Sequence, residues 1–362
     1  MKVKILHTAD NHLRASQYAR PDRGLDFTQA LNRVVDIAIK QKVDAILNSG
    51  DILDTTRPTA RTVHDLNVLH YRLIEAGIPM YTISGNHDKT DPHWTSVIDV
   101  GHTDRGIVCV DNKQFEVKGL KVHGLPFTHN DAFLANLAEL PKADILMWHG
   151  MIREFVGYPT DKALSLDDLP QGKYQMMLLG DVHVHEQKQL QDGTLVSYPG
   201  STELCNQTEE FQKWVDIYEI PVDEPGDYTM ESVKIQTRPA YAYRITSEEA
   251  VSEVLTKLAK VKDEKPMIFV SYTPDLDNVF ARLTQVADPT QAIIRTKPLP
   301  MKSAPDPKQE ATHDLQPSDF LDKFVAVGSP MFELGELLLN PQADAVSLVD
   351  AYVERELGEV YV

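Results

Sequence analysis

Three things are scarce in this chain, and each scarcity excludes something. Cysteine occurs only as Cys109 and Cys205 among 362 residues, too few for a disulfide framework and suited to a reducing cytosol. No apolar run approaches the roughly 20 residues that a membrane-spanning helix requires. The N-terminal segment reaches the polar His7, Asp10 and His12 before the apolar core of a signal peptide could form. Basic residues are outnumbered, with 36 Lys and Arg against 54 Asp and Glu and a net charge of −18. That balance weighs against a free-standing, high-affinity module that grips nucleic acid by its own positive charge. It leaves room for an enzyme that reaches phosphates through bound cations, because cations held by carboxylates invert the local field. With 42% hydrophobic residues the chain can bury a sizeable core, and its length suits more than one domain. The expectation is a cytoplasmic protein without a membrane anchor.

The first half alternates short apolar runs with helical spacing. Strand-like runs at Val3–Thr8, Val43–Asn48, Ile78–Ser84, Asp144–Trp148 and Gln175–Leu179 are interleaved with helices predicted over Leu25–Lys40 and Thr59–Ala76. This alternation predicts a largely parallel central sheet covered by helices. Around Lys188–Tyr198 and Lys213–Glu219 strand follows strand, which predicts an antiparallel continuation. A small α+β unit is expected over 241–297, within a stretch (241–300) whose charges cancel. Five prolines in Pro298–Pro317 mark a linker. The tail, 318–362, shows helical spacing in Phe320, Leu321, Phe324, Leu334, Leu337 and Leu338, and 301–362 carries a net charge of −8.

Each of the five strand-like runs of the first half is followed by Asp, His or Asn, and that regularity carries the chemistry. In open α/β sheets, ligands sit beyond the carboxyl ends of the strands, so these loops are expected to share one crevice. They supply Asp10 and His12, Asp51, Asn86 and His87, His149, and Asp181 with His183 and His185. Taken singly, Asp10-Asn11-His12 could be an Asx turn and Gly50-Asp51 a bare turn signal. Isolated His64, His70 and His102 read as surface or hydrogen-bonded residues. Together, carboxylates and an amide mixed with imidazoles suit manganese, iron(II) or zinc better than an all-oxygen magnesium cage. Two such cations sharing a carboxylate can activate water for phosphoester displacement.

The motifs Asp10-x-His12, Gly50-Asp51, Gly85-Asn86-His87-Asp88, His149-Gly150 and a closing Gly180-x-x-His183 resemble those of the calcineurin-like metallophosphoesterases. Within them, Ile5–Leu13, Ser49–Asp54, Arg57-Pro58 and Tyr198-Pro199-Gly200-Ser201 are similar to the SbcD-type DNA repair nucleases, partners of SbcC-type coiled-coil ATPases. The resemblance implies an α/β sandwich with helices flanking the sheets over 1–240, a small capping domain over 241–297, the 298–317 linker, and a helical partner-binding tail at 318–362. It also implies roles. Asp10 and His12 would hold one cation, Asp51 would bridge, Asn86 and His149 would hold the second, and His87 would stand beside them as a catalytic residue. The closing motif of the family is usually Gly-His-x-His, whereas this chain reads Gly180-Asp181-Val182-His183-Val184-His185. Two pairings follow: Asp181 with His183, which keeps the spacing from Gly180, or His183 with His185. Asp54 stands where some members of the wider superfamily carry histidine.

The function implied is a DNA nuclease subunit, an exonuclease on duplex ends and an endonuclease on single strands. It would use two divalent ions, foremost Mn²⁺ with Mg²⁺, Fe²⁺ and Zn²⁺ as alternatives. Its partners would be DNA, an SbcC-type ATPase docked on the tail, and a second copy in a homodimer; the short length suits a phage-borne version acting in the host cytoplasm. Arg14, Arg57 and Lys89 are candidate DNA-phosphate contacts, which position a strand without reading its sequence. Two rivals are a stand-alone phosphodiesterase for small esters and a non-catalytic, metal-stabilised scaffold.

Overall fold

The computed structural model describes residues 1–299 apart from 19, 90–96, 99–104, 137–138, 158–159, 161 and 224–225. The expected tail and nearly all of the expected linker therefore lie outside the described residues.

Two six-stranded sheets form the body. The first contains β1 (Lys2–Thr8), β2 (Ala45–Asn48), β3 (Met80–Thr82), β4 (Ile107–Cys109), β11 (Lys213–Pro221) and β12 (Thr229–Ile235), in the order β12-β11-β1-β2-β3-β4. The second contains β5 (Lys113–Val117), β6 (Leu120–Leu125), β7 (Ile145–His149), β8 (Met176–Gly180), β9 (His185–Gln189) and β10 (Leu195–Pro199), in the order β5-β6-β7-β8-β10-β9. Strands β1 to β4 run parallel, as do β6, β7, β8 and β10, while β5, β9, β11 and β12 are paired antiparallel.

The single central sheet expected from the alternating pattern is thus two mixed sheets packed face to face. Their shared layer includes Val3, Ile5, Ala45 and Leu47 from the first sheet and Val122, Ile145, Met147, Met176 and Leu178 from the second. The period-2 rule shows in β1: Val3 and Ile5 face this layer, whereas Leu6 packs into the outer cluster under the helices. The segment 107–125 escapes sequence patterning because β4 is only three residues long. Its neighbour β5 is an edge strand with Lys113, Gln114 and Glu116 exposed.

On the first sheet's outer face lie α1 (Pro21–Gln41) and α2 (Ala60–Ala76). Helix α1 begins four residues before the predicted Leu25, because Pro21 occupies its first turn, where a missing N–H costs nothing. Thr59 caps α2 by accepting from Thr62 N at 3.2 Å. Short α3 (Asn130–Asn136) and two single-turn 3₁₀ segments cover the outer face of the second sheet, where Phe133 stacks on Trp148 with ring centroids 4.2 Å apart.

Residues 240–298 form a separate parallel sheet of β13 (Ala240–Ile245), β14 (Met267–Tyr272) and β15 (Ile293–Pro298). Helices α4 (Glu248–Leu258) and α5 (Val279–Thr284) share its apolar cluster. This small unit is fastened to the body in two ways. Met267, Phe269 and Ile293 pack with Leu204 and Tyr18. Beside them runs an arginine–carboxylate chain: Arg238 reaches Asp26 at 2.6 Å and Asp22 at 3.1 Å, and fully buried Arg23 reaches Asp26 at 2.6 Å and Glu203 at 3.2 Å. No described helix is long and apolar enough to cross a membrane.

Candidate metal centre

Five strands, three from the first sheet and two from the second, end at one edge of the sandwich, where their loops meet. After β1 and β2 the two loops pair with each other: Asp10 N donates to Gly50 O at 3.0 Å, and Asn11 N and His12 N both donate to Asp51 O at 2.8 and 3.0 Å. This pairing turns Asp10, His12 and Asp51 into left-handed backbone, at φ 51°, 45° and 52°, with Asp181 at 92°. Such conformations are rare outside glycine and cost of order 1–3 kcal/mol each, so their clustering marks a functional edge. Two glycines make room. A Cβ on Gly50 would lie 2.4 Å from His149 Nδ1, and one on Gly85 would lie 2.1 Å from Asp51 Oδ1.

Asp88 ties the second and third loops together. Its buried carboxylate accepts from Leu53 N at 2.8 Å, Gly85 N at 2.9 Å and Ile52 N at 3.3 Å. Burial and the nearby Asp51 charge push its pKa up to about 8.

Three carboxylates, three imidazoles and an amide converge here. His149 Nε2 lies 3.0 Å from Asn86 Oδ1, 3.6 Å from Asp51 Oδ2 and 3.9 Å from Asp181 Oδ1. His12 Nε2 lies 3.8 Å from the same Asp51 oxygen and 3.3 Å from His183 Nε2, which is 3.9 Å from Asp10 Oδ1. Asp51 therefore stands between two groups: His12, His183 and Asp10 on one side, and His149, Asn86 and Asp181 on the other. The backbone N–H of Asp181 donates to both Asp10 oxygens at 3.1 and 3.2 Å.

The outer contacts fix which ring nitrogens point inward. His149 Nδ1 donates to Ser49 O at 2.7 Å, leaving Nε2 toward Asp51. His183 Nδ1 pairs with Glu209 Oε1 at 2.9 Å, and Glu209 is itself held by Lys213 at 2.6 Å and Ser201 at 3.0 Å. Burial alone would lower the His149 pKa, but the Asp51 charge outweighs it and lifts the value to about 10. Burial likewise opposes ionisation of Asp51, yet His149 and His12 hold its carboxyl well below the usual carboxylate range.

His87 is exposed at the rim. Its N–H donates to Asp51 Oδ1 at 2.9 Å and its Nδ1 lies 3.0 Å from Asp54 O, so Nε2 is turned outward. The ring meets His12 edge-on at 4.9 Å. Asp54 adds a carboxylate 3.4 Å from His12 Nδ1. His185 lies apart: its Nε2 is 2.9 Å from buried Asp216 and its ring stacks on Trp214. Arg14 pairs with Asp65 at 2.6 Å, Arg57 is exposed, and Lys89 lines a cleft with Phe127 and His129. A second cleft of about 530 Å³ opens beside Asn86 and Asp181, bounded by Phe127, His129 and Lys162.

Sequence reasoning missed the supports. Ser49 acts through a carbonyl, which no side-chain pattern reports. Glu209 and Cys205 come from the loop after β10, which carries no metal-ligand spacing.

The donor set fits divalent cations. Buried carboxylates next to imidazole nitrogens offer hard and borderline donors around a shared oxygen, and Asp10, His12 and Asp51 place one donor atom each within 4.8 Å of one another. A family model described as calcineurin-like phosphoesterase matches residues 3–185, a span that contains all of these residues up to His183. The chain is 26% identical over 287 residues to the DNA double-strand break repair protein Mre11 of Saccharolobus solfataricus, covering 74% of each protein. It is 27% identical over 321 residues to the Mre11 of Archaeoglobus fulgidus, covering 79% of this chain and 71% of that one. Among solved structures, a dimetal phosphatase from Danio rerio aligns over 65% of this chain and 99% of its own, at 11% identity and a TM-score of 0.43.

Proposed function

The chain belongs to the calcineurin-like phosphoesterases, a metal-dependent family with a dinuclear site, and from that premise we propose that it is a DNA nuclease subunit. It would shorten duplex ends and cut single strands in repair or recombination. The observation that carries this reading is the division of donors around Asp51 (two sets of inward-facing groups sharing one carboxylate), joined to the similarity with Mre11 proteins over three quarters of the chain.

Asp10, His12 and His183 would hold the first cation, Asn86, His149 and Asp181 the second, and Asp51 would bridge them. His183 serves better than His185 as the closing imidazole, because His185 is engaged with Asp216. The carboxylate of Asp181 then replaces the family's usual imidazole and lowers the charge of the second position. Mn²⁺ suits this mixed oxygen and nitrogen set best, with Mg²⁺, Fe²⁺ and Zn²⁺ as alternatives. When bound, the pair supplies Lewis acidity that activates water and steadies charge on the phosphoryl oxygens. His87, anchored by its N–H on Asp51 and by Nδ1 on Asp54, presents Nε2 to protonate the departing oxygen or steady the phosphoryl charge. Ser49 and Glu209 keep the imidazoles of His149 and His183 in the tautomer that offers Nε2.

A chain with net charge −18 is expected to grip DNA weakly on its own. We place the main grip on an SbcC-type coiled-coil ATPase bound through 318–362 and on a homodimer that doubles the contacts, with Arg14, Arg57 and Lys89 contributing phosphate contacts. Size-exclusion of the chain with and without 318–362, mixed with such an ATPase, tests the tail.

The nuclease itself is tested by incubating the purified chain with end-labelled linear duplex DNA in Mn²⁺ and then Mg²⁺, beside a small chromogenic phosphodiester and the His87→Ala variant. Progressive shortening of the duplex in Mn²⁺, lost in His87→Ala, supports the reading. Turnover of the small ester alone would replace the nuclease by a phosphodiesterase for small substrates, and no turnover of either would leave a metal-stabilised scaffold.

A further inference from the structure

Three donor atoms that come together at His12 include a sulfur. One ring nitrogen of His12, one of His183 and Cys205 Sγ all lie within 4.8 Å of one another. Cys205 is mostly covered, and its N–H is pinned by Glu209 Oε2 at 3.2 Å, the same side chain that orients His183. The thiol is 3.4 Å from Glu203 O and hydrogen-bonds with the His183 side chain, so it already sits against that imidazole. The two imidazoles beside it already turn toward each other. His12 is almost wholly buried, and its Nε2 meets His183 Nε2 at only 3.3 Å while the Nδ1 of His183 is committed to Glu209. Two imidazole nitrogens facing each other that closely need a shared proton or a shared metal ion between them.

From this we infer that Cys205 supplies a sulfur ligand to the cation held by His12 and His183, making that position selective for thiophilic ions. The inference rests on the two-metal reading above and deepens it. Around a divalent ion with nitrogen ligands near 2.0–2.1 Å and sulfur near 2.3 Å, neighbouring donors stand roughly 3–3.8 Å apart. The observed cluster reaches that with shifts of about 1 Å. The thiol loses its proton to solvent as the metal binds, the ordinary stoichiometry of a cysteine ligand. A sulfur donor biases one of the two positions toward zinc, iron(II) or cobalt and away from magnesium, while the all-oxygen-and-nitrogen position around His149 keeps its broader taste. The two sites of one centre would then differ in metal, and the one containing Cys205 would be the oxidation-sensitive half.

Cobalt(II) titration of the chelator-stripped full chain reads this directly. Visible d–d absorption reports that cobalt binds, and a near-ultraviolet sulfur-to-cobalt charge-transfer band reports a thiolate ligand. The expected result is both signals in the wild type, loss of the charge-transfer band in Cys205→Ser with at least a roughly tenfold weaker first binding step, and retention of the band in Cys109→Ser. Because the chain has two cysteines, the Cys109→Ser variant alone assigns the band to Cys205 even where Cys205→Ser folds poorly. Visible absorption without the charge-transfer band, or a band that survives in Cys205→Ser, overturns the sulfur ligand and leaves the metal centre standing. Absence of all cobalt absorption overturns the metal centre and the sulfur ligand together.

Discussion

At the joint between α1 and the small sheet, Arg20, Arg23 and Arg238 face Asp22, Asp26 and Glu203; at the carboxyl ends of the strands, Asp10, Asp51 and Asp181 face imidazoles and an amide. Both clusters are largely buried and both collect three carboxylates. They differ in their counter-groups. Guanidinium is permanently charged and presents only donors, so the joint is neutral, with each carboxylate paired to an arginine. Imidazole can stay neutral and present a lone pair, so the strand-end cluster offers acceptors in excess and is completed by an added cation. The backbone records the same difference. The joint draws Asp22, Arg23 and Asp26 from one regular helix, whereas the strand-end cluster holds four residues in left-handed backbone. One cluster is built to hold two parts of the chain together, the other to hold something else.

Removing one charge from each cluster should break the comparison most sharply. Asp51→Asn is expected to reduce phosphodiester hydrolysis by at least ~10³-fold, since several kcal/mol of transition-state stabilisation pass through the shared carboxylate. Urea unfolding of the metal-free variant should show only a modest loss, because Asp51 gives up its pairing with His149 but the imidazole left behind can shed its proton and stay uncharged. A stability loss of several kcal/mol there would make the strand-end cluster a structural ion-pair network like the joint. Arg23→Met should lose far more. It leaves buried Glu203 without its arginine and Asp26 with Arg238 alone, and is expected to cost about 3–5 kcal/mol in urea unfolding, with no recovery on adding divalent ions.

Smaller effects sharpen the contrast. Glu209→Gln should weaken binding at the His12–His183 position by about 10–100-fold in competition with a chelating dye, because His183 loses the anion that orients it. At the joint, the smallest effect is a pH dependence. Burial opposes ionisation of Asp22, but hydrogen bonds from Arg20 and Arg238 prevail and lower its pKa from 3.8 to about 2. A carboxyl lowered on folding contributes stability above its unfolded pKa and loses it as pH falls through the folded one. The window is therefore from about pH 4 down to pH 2, and Asp22→Asn should flatten it. Since Asp22 is partly exposed and screened by solvent, about 1 kcal/mol is at stake.

Much of the strand-end cluster was legible in the sequence, and the reason is local. Asp10, Asp51, Asn86, His149 and Asp181 each follow a strand within a few residues, so the strand pattern alone aligns them at one edge. The Gly85-Asn86-His87-Asp88 turn is distinctive in itself, and the resemblance it carries supplied the sandwich that residue patterning reduced to a single sheet. Weak edge strands such as β5, with alternating Lys, Gln and Glu, gave no apolar signal to count. The joint was not legible, because beyond the local Arg23–Asp26 pair it is made by Arg23 meeting Glu203 and Arg238 meeting Asp26 across 180 and 212 residues of sequence. Cys205 and Glu209 were hidden for the same reason: their loop meets His183 only after β10 and β11 have been placed in different sheets. His183 and His185 were separable only in three dimensions, where one turns to Asp10 and the other to Asp216.

The most direct measurement is the number of cations bound per chain. The chelator-stripped full chain, with Asp51→Asn and Arg23→Met beside it, would be dialysed against Mn²⁺ and its metal content determined against protein concentration. The expected result is two ions per chain in the wild type and in the folded fraction of Arg23→Met, and fewer in Asp51→Asn. A wild-type chain that retains no ion, or an Asp51→Asn chain that still retains two, would contradict the view that Asp51 sits between two cation positions.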